Sequence, residues 1–168
     1  MSHNSTEERH SPSALLTALY RAVAHKEFAD RKAGPDYLAE IFLPFHARLR
    51  IRFAAMRARG RAKERRKTPG VYEYMAARTV CFDAVFAEAL NENIPQIVIL
   101  GAGYDTRACR FADHMQGTRI IELDNGATQE RKQSRLRKFG IETPAQVIYV
   151  PIDFNEESVQ GVLARAGY

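Results

Sequence analysis

Apolar and polar positions alternate with two periods along this chain, and the change from one to the other divides it. From Pro12 onward, Leu15, Leu16, Leu19, Tyr20 and Val23 recur at helical spacing, and Ser11-Pro12 has the form of a helix start. Gly34-Pro35 interrupts the pattern, and an apolar stretch predicts a short helix around Tyr37 to Phe45. A longer helix is expected over Val71 to Ala89, with Val71, Met75, Phe82, Val85 and Ala89 on one buried stripe and Tyr74 and Phe86 beside it. Beyond Asn91 and Pro95 the pattern becomes short and continuously apolar. Gln96–Leu100, Thr118–Asp124 and Gln146–Asp153 read as parallel strands covered on both faces. Helical stretches separate them, from Thr106 to about Met115 and from Ala127 to Phe139, the second closed by Gly140, and a last helix follows Asn155.

Alternation of strand and helix of this kind is that of an open parallel α/β sheet, preceded here by helices. Three regions follow: a disordered tail over 1–10, a helical region over 11–90, and a sheet region over 91–168 in which a nucleotide-like ligand is expected.

Composition narrows the classes. At 168 residues, 45% hydrophobic and 27% charged, the chain suits a globular domain, and no apolar run approaches the length of a membrane span. The polar first ten residues lack the core of a secretory signal, so a cytoplasmic protein without a membrane partner is the expectation. Cys81 and Cys109 suggest no disulfide framework, and the five histidines show no metal-ligand spacing with either, so no metal site is expected. The formal charge of +5 is concentrated: residues 48–67 carry +9, leaving the remainder at −4. Such a stretch reads as the solvated face of an amphipathic helix, with nucleic-acid binding as the rival.

Four features carry chemistry. Gly101-Ala102-Gly103 directly follows the first strand; Gly101 suits a tight turn, and Gly103 lets a ligand approach the backbone. A dinucleotide fingerprint would place a third glycine at position 106, where this chain has Thr106, which counts against an NAD(P)-binding oxidoreductase, the enzymatic alternative. Glu122 and Asp124 end the second strand, 19 and 21 residues beyond Gly103, about the interval at which such folds grip a ribose. Arg78 interrupts the apolar stripe of the long helix. A guanidinium there needs either an anionic partner, such as the carboxylate of an amino-acid-like ligand, or an escape along the helix to solvent. Asp153 and Phe154 close the third strand, where a carboxylate and a ring suit an adenine. A ligand with a carboxylate, a ribose and an adenine but no pyrophosphate has the shape of S-adenosylmethionine.

The string Ile99-Leu-Gly-Ala-Gly-Tyr-Asp-Thr-Arg107, with Glu122-Leu-Asp124 and Arg78-Thr79, resembles the leucine carboxyl methyltransferase family of class I S-adenosylmethionine-dependent methyltransferases, from roughly Leu15 onward. The resemblance implies a Rossmann-like fold and S-adenosyl-L-methionine as cofactor. It implies Arg78 at the methionine carboxylate, Gly101 and Gly103 along the cofactor, Asp124 on the ribose with Glu122 assisting, and Asp153 and Phe154 at the adenine. In His25-Lys-Glu-Phe28, Lys26 matches a second carboxylate-binding basic residue of the family. The implied reaction is methylation of an oxygen acceptor, a small-molecule or protein carboxylate. Family members continue with more strands, so a sheet truncated after the third strand is expected here. In a 3-2-1 strand order the apolar Gln96–Leu100 would be an exposed edge, open to self-association or to completion by a partner. A non-catalytic fragment is the remaining alternative.

Overall fold

A computed structural model describes residues 11–28 and 36–168. The expected tail over 1–10 and the break at Gly34-Pro35 lie outside them. Helix α1 (Pro12–Phe28) opens the chain, Ser11 accepting the Ala14 amide with its hydroxyl. A 3₁₀ turn follows at Ala39–Phe42, then α2 (Phe45–Ile51), α3 (Ala54–Lys67) and α4 (Val71–Asn91). The expected helix over Tyr37 to Phe45 is therefore only one turn. Pro44 forces Leu43 into extended backbone (ψ 148°) and starts α2 afresh. The basic stretch is two helices meeting at Arg52 and Phe53.

Strands β1 (Gln96–Leu100), β2 (Arg119–Asp124) and β3 (Val147–Pro151) form a parallel sheet in the order β1-β2-β3. Helices α6 (Gly126–Lys138) and α7 (Val159–Arg165) follow β2 and β3. After β1 the helix is short, α5 (Arg107–Arg110), with a 3₁₀ turn at Ala112–His114, where a longer helix was expected. Side chains alternate across the sheet as a strand requires. Ile97, Ile99 and Ile120 meet Phe86 and Leu90 of α4, whereas Val98, Ile121, Leu123 and Val150 meet Val162 of α7. The third cluster joins α1, the 3₁₀ turn, Tyr72, Tyr104 and Leu136, with the Phe42 and Tyr104 rings stacked at 4.7 Å. As the order 3-2-1 implies, β1 is an edge of the sheet formed by the described residues. Leu100 is 57% exposed, while Gln96 to Ile99 stay half-buried.

Helix α4 turns a different face inward from the one its apolar spacing suggests. Its buried residues are Tyr72, Thr79, Asp83, Phe86 and Leu90, whereas Phe82 and Val85 are about half exposed. The inward stripe includes an aspartate because two arginines of α5 meet it there.

Candidate functional site

Beyond the carboxyl end of β1 the sheet opens into a cleft of about 890 Å³, within the range of small-ligand sites. Its floor is the turn after β1. Gly101 (φ 61°) and Gly103 (φ 51°) both take left-handed backbone, which a side chain makes costly. A methyl on Gly101 would project into open space, but one on Gly103 would come within 3.3 Å of Ala14 in α1. Gly103→Ala is therefore expected to cost about 1–2 kcal/mol from backbone conformation alone. The crowding against Ala14 adds to this, and a denaturant titration reads the loss as a lower midpoint with unchanged slope.

Asp124, at the end of β2, faces this turn. One carboxylate oxygen accepts the Gly103 amide at 2.7 Å and the other accepts the Asn125 amide at 2.8 Å. A carboxylate offers about four acceptor positions, so this one still has room for two hydroxyls. Arg78 is exposed on the cleft wall formed by α4, its guanidinium 5.2 Å from the Phe82 ring centre. Among the described residues no carboxylate forms an ion pair with it. Phe154, 48% exposed, lines the cleft from beyond β3. The cleft therefore brings together Arg78, Gly101, Gly103, Asp124 and Phe154.

Of the two outcomes open to Arg78, the structure gives it the way to solvent, so no desolvation demands a partner and its case rests on its place in the cleft. Glu122 and Asp153 do not join it there. Glu122 is fully buried and its oxygen accepts from Lys132 of α6, away from the cleft. Burial pushes its carboxyl up, with Lys132 opposing, while Glu122 holds the Lys132 ammonium charged against its own burial. Asp153 is exposed and accepts the amide of Asn155 at 2.9 Å, a local turn. It lines a separate hollow beside β3 with Glu157 and Arg165. Lys26 pairs with Glu40 at 2.8 Å and does not line the cleft.

Beneath the cleft lies a group that the sequence reading missed. Arg110 of α5 meets both oxygens of Asp83 at 2.7 Å, and Arg107 reaches Asp83 at 2.8 Å and pairs also with Asp105. Asp36 takes Arg21 of α1 at 3.1 Å and the Thr106 hydroxyl at 2.8 Å. Thr106, where a dinucleotide site would have glycine, is fully buried and also accepts from Arg110 at 2.9 Å. Arg21 donates to the Tyr104 carbonyl at 2.8 Å. Three arginines and three aspartates from four parts of the chain thus hold the glycine turn. Burial alone would raise the Asp105 carboxyl, but the Arg107 and Arg21 guanidiniums outweigh it and hold the group below its ordinary range. Only the run Asp105-Thr106-Arg107, beside the glycines, gave any sign of this network; Asp36 and Asp83 are distant in sequence and look like surface acids.

The chain matches the leucine carboxyl methyltransferase family model over residues 14–168. It is also similar to curated bacterial proteins. One from Mycobacterium tuberculosis, named "Putative S-adenosyl-L-methionine-dependent methyltransferase", is 36% identical over 96 residues, covering 57% of this chain and 30% of that protein. Proteins of the same name from Mycolicibacterium paratuberculosis and Mycobacterium marinum are each 38% identical. The first match covers 59% of this chain and 30% of the relative, and the second 51% and 27%. The chain thus spans under a third of the length of the curated relatives it matches. With the family match running through nearly all its residues and through the cleft just described, the chain belongs to the leucine carboxyl methyltransferase family.

Proposed function

We propose that this chain forms the cofactor-holding part of an S-adenosylmethionine-dependent methyltransferase acting on an oxygen acceptor, a carboxylate above all. The observation that carries the reading is the Asp124–Gly103 bond. It holds a glycine turn open beneath a cleft with an arginine that forms no ion pair among the described residues on one wall and an exposed ring on another. Arg78 would take the amino-acid carboxylate in a two-pronged bond, Asp124 would accept from the ribose hydroxyls, and Phe154 would cover the adenine. Gly101 leaves the turn open on the side where the cofactor would lie. The cofactor supplies an electrophilic methyl group on a sulfonium.

The acceptor class rests on what lines the cleft. Among the described residues its acids are Asp105, held by Arg107, and Asp124, held by two amides, and none of the lining residues described is a histidine, cysteine or lysine. A carboxylate acceptor is ionised at neutral pH and needs no general base. Alignment of two bound groups then supplies most of the rate.

A calorimetric melt with S-adenosylhomocysteine tests this. At about 100 times its dissociation constant the ligand adds about 2.7 kcal/mol of apparent stability, a rise of about 5–10 °C for a domain of this size. Arg78→Ala is expected to melt like the parent chain without ligand and to show no comparable rise. A parent transition that ignores this ligand, or shifts instead with NAD, would overturn the reading.

A further inference from the structure

The basic stretch outside the cleft has a surface that solvation alone does not explain. From Ile41 to Lys63 there is no acidic residue, while Arg48, Arg50, Arg52, Arg57, Arg59, Arg61 and Lys63 carry seven positive charges. The helices divide these cations. Arg57 and Arg61 turn inward to Glu27, at 3.5 and 3.2 Å, and fasten α3, which buries none of its own residues. Arg50, Arg52, Arg59 and Lys63 are exposed and form no ion pair among the described residues.

Large apolar side chains are exposed among them. Phe45 is 77% exposed and Leu49 45%, one turn apart on α2, and Phe53 at the α2–α3 corner is 58% exposed. Phe45 and Leu49 line one hollow with Arg48, Arg52 and Lys26. Its one acid among the described residues, Glu40, is already taken by Lys26. An interleaving of protruding phenylalanine and leucine with unpaired arginine is the chemistry of a helix lying in a membrane interface. There the apolar groups enter the acyl boundary and the cations meet lipid phosphates. A polynucleotide would take up the arginines but gives Leu49 no apolar surface to enter. A solvated face would not leave two phenylalanines and a leucine standing out together.

We propose that the α2–α3 corner is a docking surface for anionic lipid, through insertion of Phe45, Leu49 and Phe53 and attraction by Arg50, Arg52 and Arg59. No helix among the described residues is long and apolar enough to cross a membrane; the contact proposed is insertion of side chains at the interface. It would bring the chain to a membrane surface without depending on what the cleft binds. Each surface cation contributes about 1 kcal/mol of attraction to an anionic leaflet, enough for reversible binding when joined by apolar insertion.

Vesicle co-sedimentation of the full chain tests this, comparing phosphatidylcholine alone with phosphatidylcholine containing about a third phosphatidylglycerol, at near-physiological salt. The chain is expected to sediment with the anionic vesicles and to stay in solution with the neutral ones. The triple variant F45S/L49S/F53S replaces only exposed side chains, so its melt should match that of the parent. Its partitioning should fall about tenfold or more, since burial of each CH₂ contributes about 0.8 kcal/mol. Four results would each overturn the proposal: no binding to anionic vesicles, equal binding to neutral ones, a triple variant that binds like the parent, or displacement from vesicles by equimolar duplex DNA.

Discussion

Asp83→Ala is expected to destabilise the chain by about 3–5 kcal/mol, the range found when one member of a buried ion pair is removed. The melting temperature would fall by about 6–20 °C. An exposed aspartate on a helix would lose 1 kcal/mol or less, so the size of the effect distinguishes the two. The reason lies in what is left behind. Asp83 is 7% exposed and serves Arg107 and Arg110 together, and truncation leaves both guanidiniums in a largely desolvated space. Asp36 and Asp105 retain their contacts but cannot neutralise a third arginine. Asp83→Asn should recover part of the loss by keeping a hydrogen-bonding oxygen while removing the charge. The network also fixes a direction with pH. Asp105 is held below its ordinary value of 3.8 in the folded chain. Its contribution is therefore fully present above that value and is lost as the pH falls through the folded one. Acid melts of the parent should show this loss, and Arg107→Ala should diminish it.

Lys132→Met is expected to have an effect of similar size, again about 3–5 kcal/mol, although it lies outside the cleft. Lys132 and Glu122 are both about 1% exposed and face each other between α6 and the central strand. Removing the ammonium leaves a carboxylate in the interior whose second oxygen already has no hydrogen-bond partner. The carboxyl would take up a proton at neutral pH in preference to remaining charged. Stability should then decline as the pH rises, since the unfolded carboxyl ionises and the folded one resists. The double variant Glu122→Gln with Lys132→Met separates charge from packing. With no charge left to strand, it should recover at least half the loss, because replacing a whole buried pair is often near neutral. A double variant as unstable as Lys132→Met would assign the loss to packing of the lysine stem beneath the Tyr149 ring, which lies 5.6 Å from the ammonium.

These two expectations mark where reading by residue spacing stopped. The three strands, the helices after β2 and β3 and the glycine turn were legible because local rules govern them. Continuous apolar runs demand cover on both faces, and glycine after such a run permits left-handed backbone. Asp124, singled out by its interval from Gly103, faces the turn and accepts the Gly103 amide. Glu122, two residues earlier on the same strand, was misplaced. Alternation assigns a side chain to one side of the sheet but does not say whether a ligand or a lysine from the next helix occupies that side. The same limit acted in α4. Its spacing located a helix and an apolar stripe, yet the stripe with Phe82 and Val85 borders the cleft, while Asp83 points inward.

The amino-acid order by itself thus determined the α/β succession, the edge position of β1 once the strand order is 3-2-1, the turn that opens the cleft and the run of positive charge without acids. Tertiary structure alone decided which charges are spent. It paired Arg107 and Arg110 with an aspartate some two dozen residues away, gave Glu122 to Lys132, set Arg78 on the cleft wall without an ion pair among the described residues, and set Phe45 and Leu49 in the open among arginines. A charge's role depends on the dielectric and the partners around it, and both come from segments that meet only when the chain has folded.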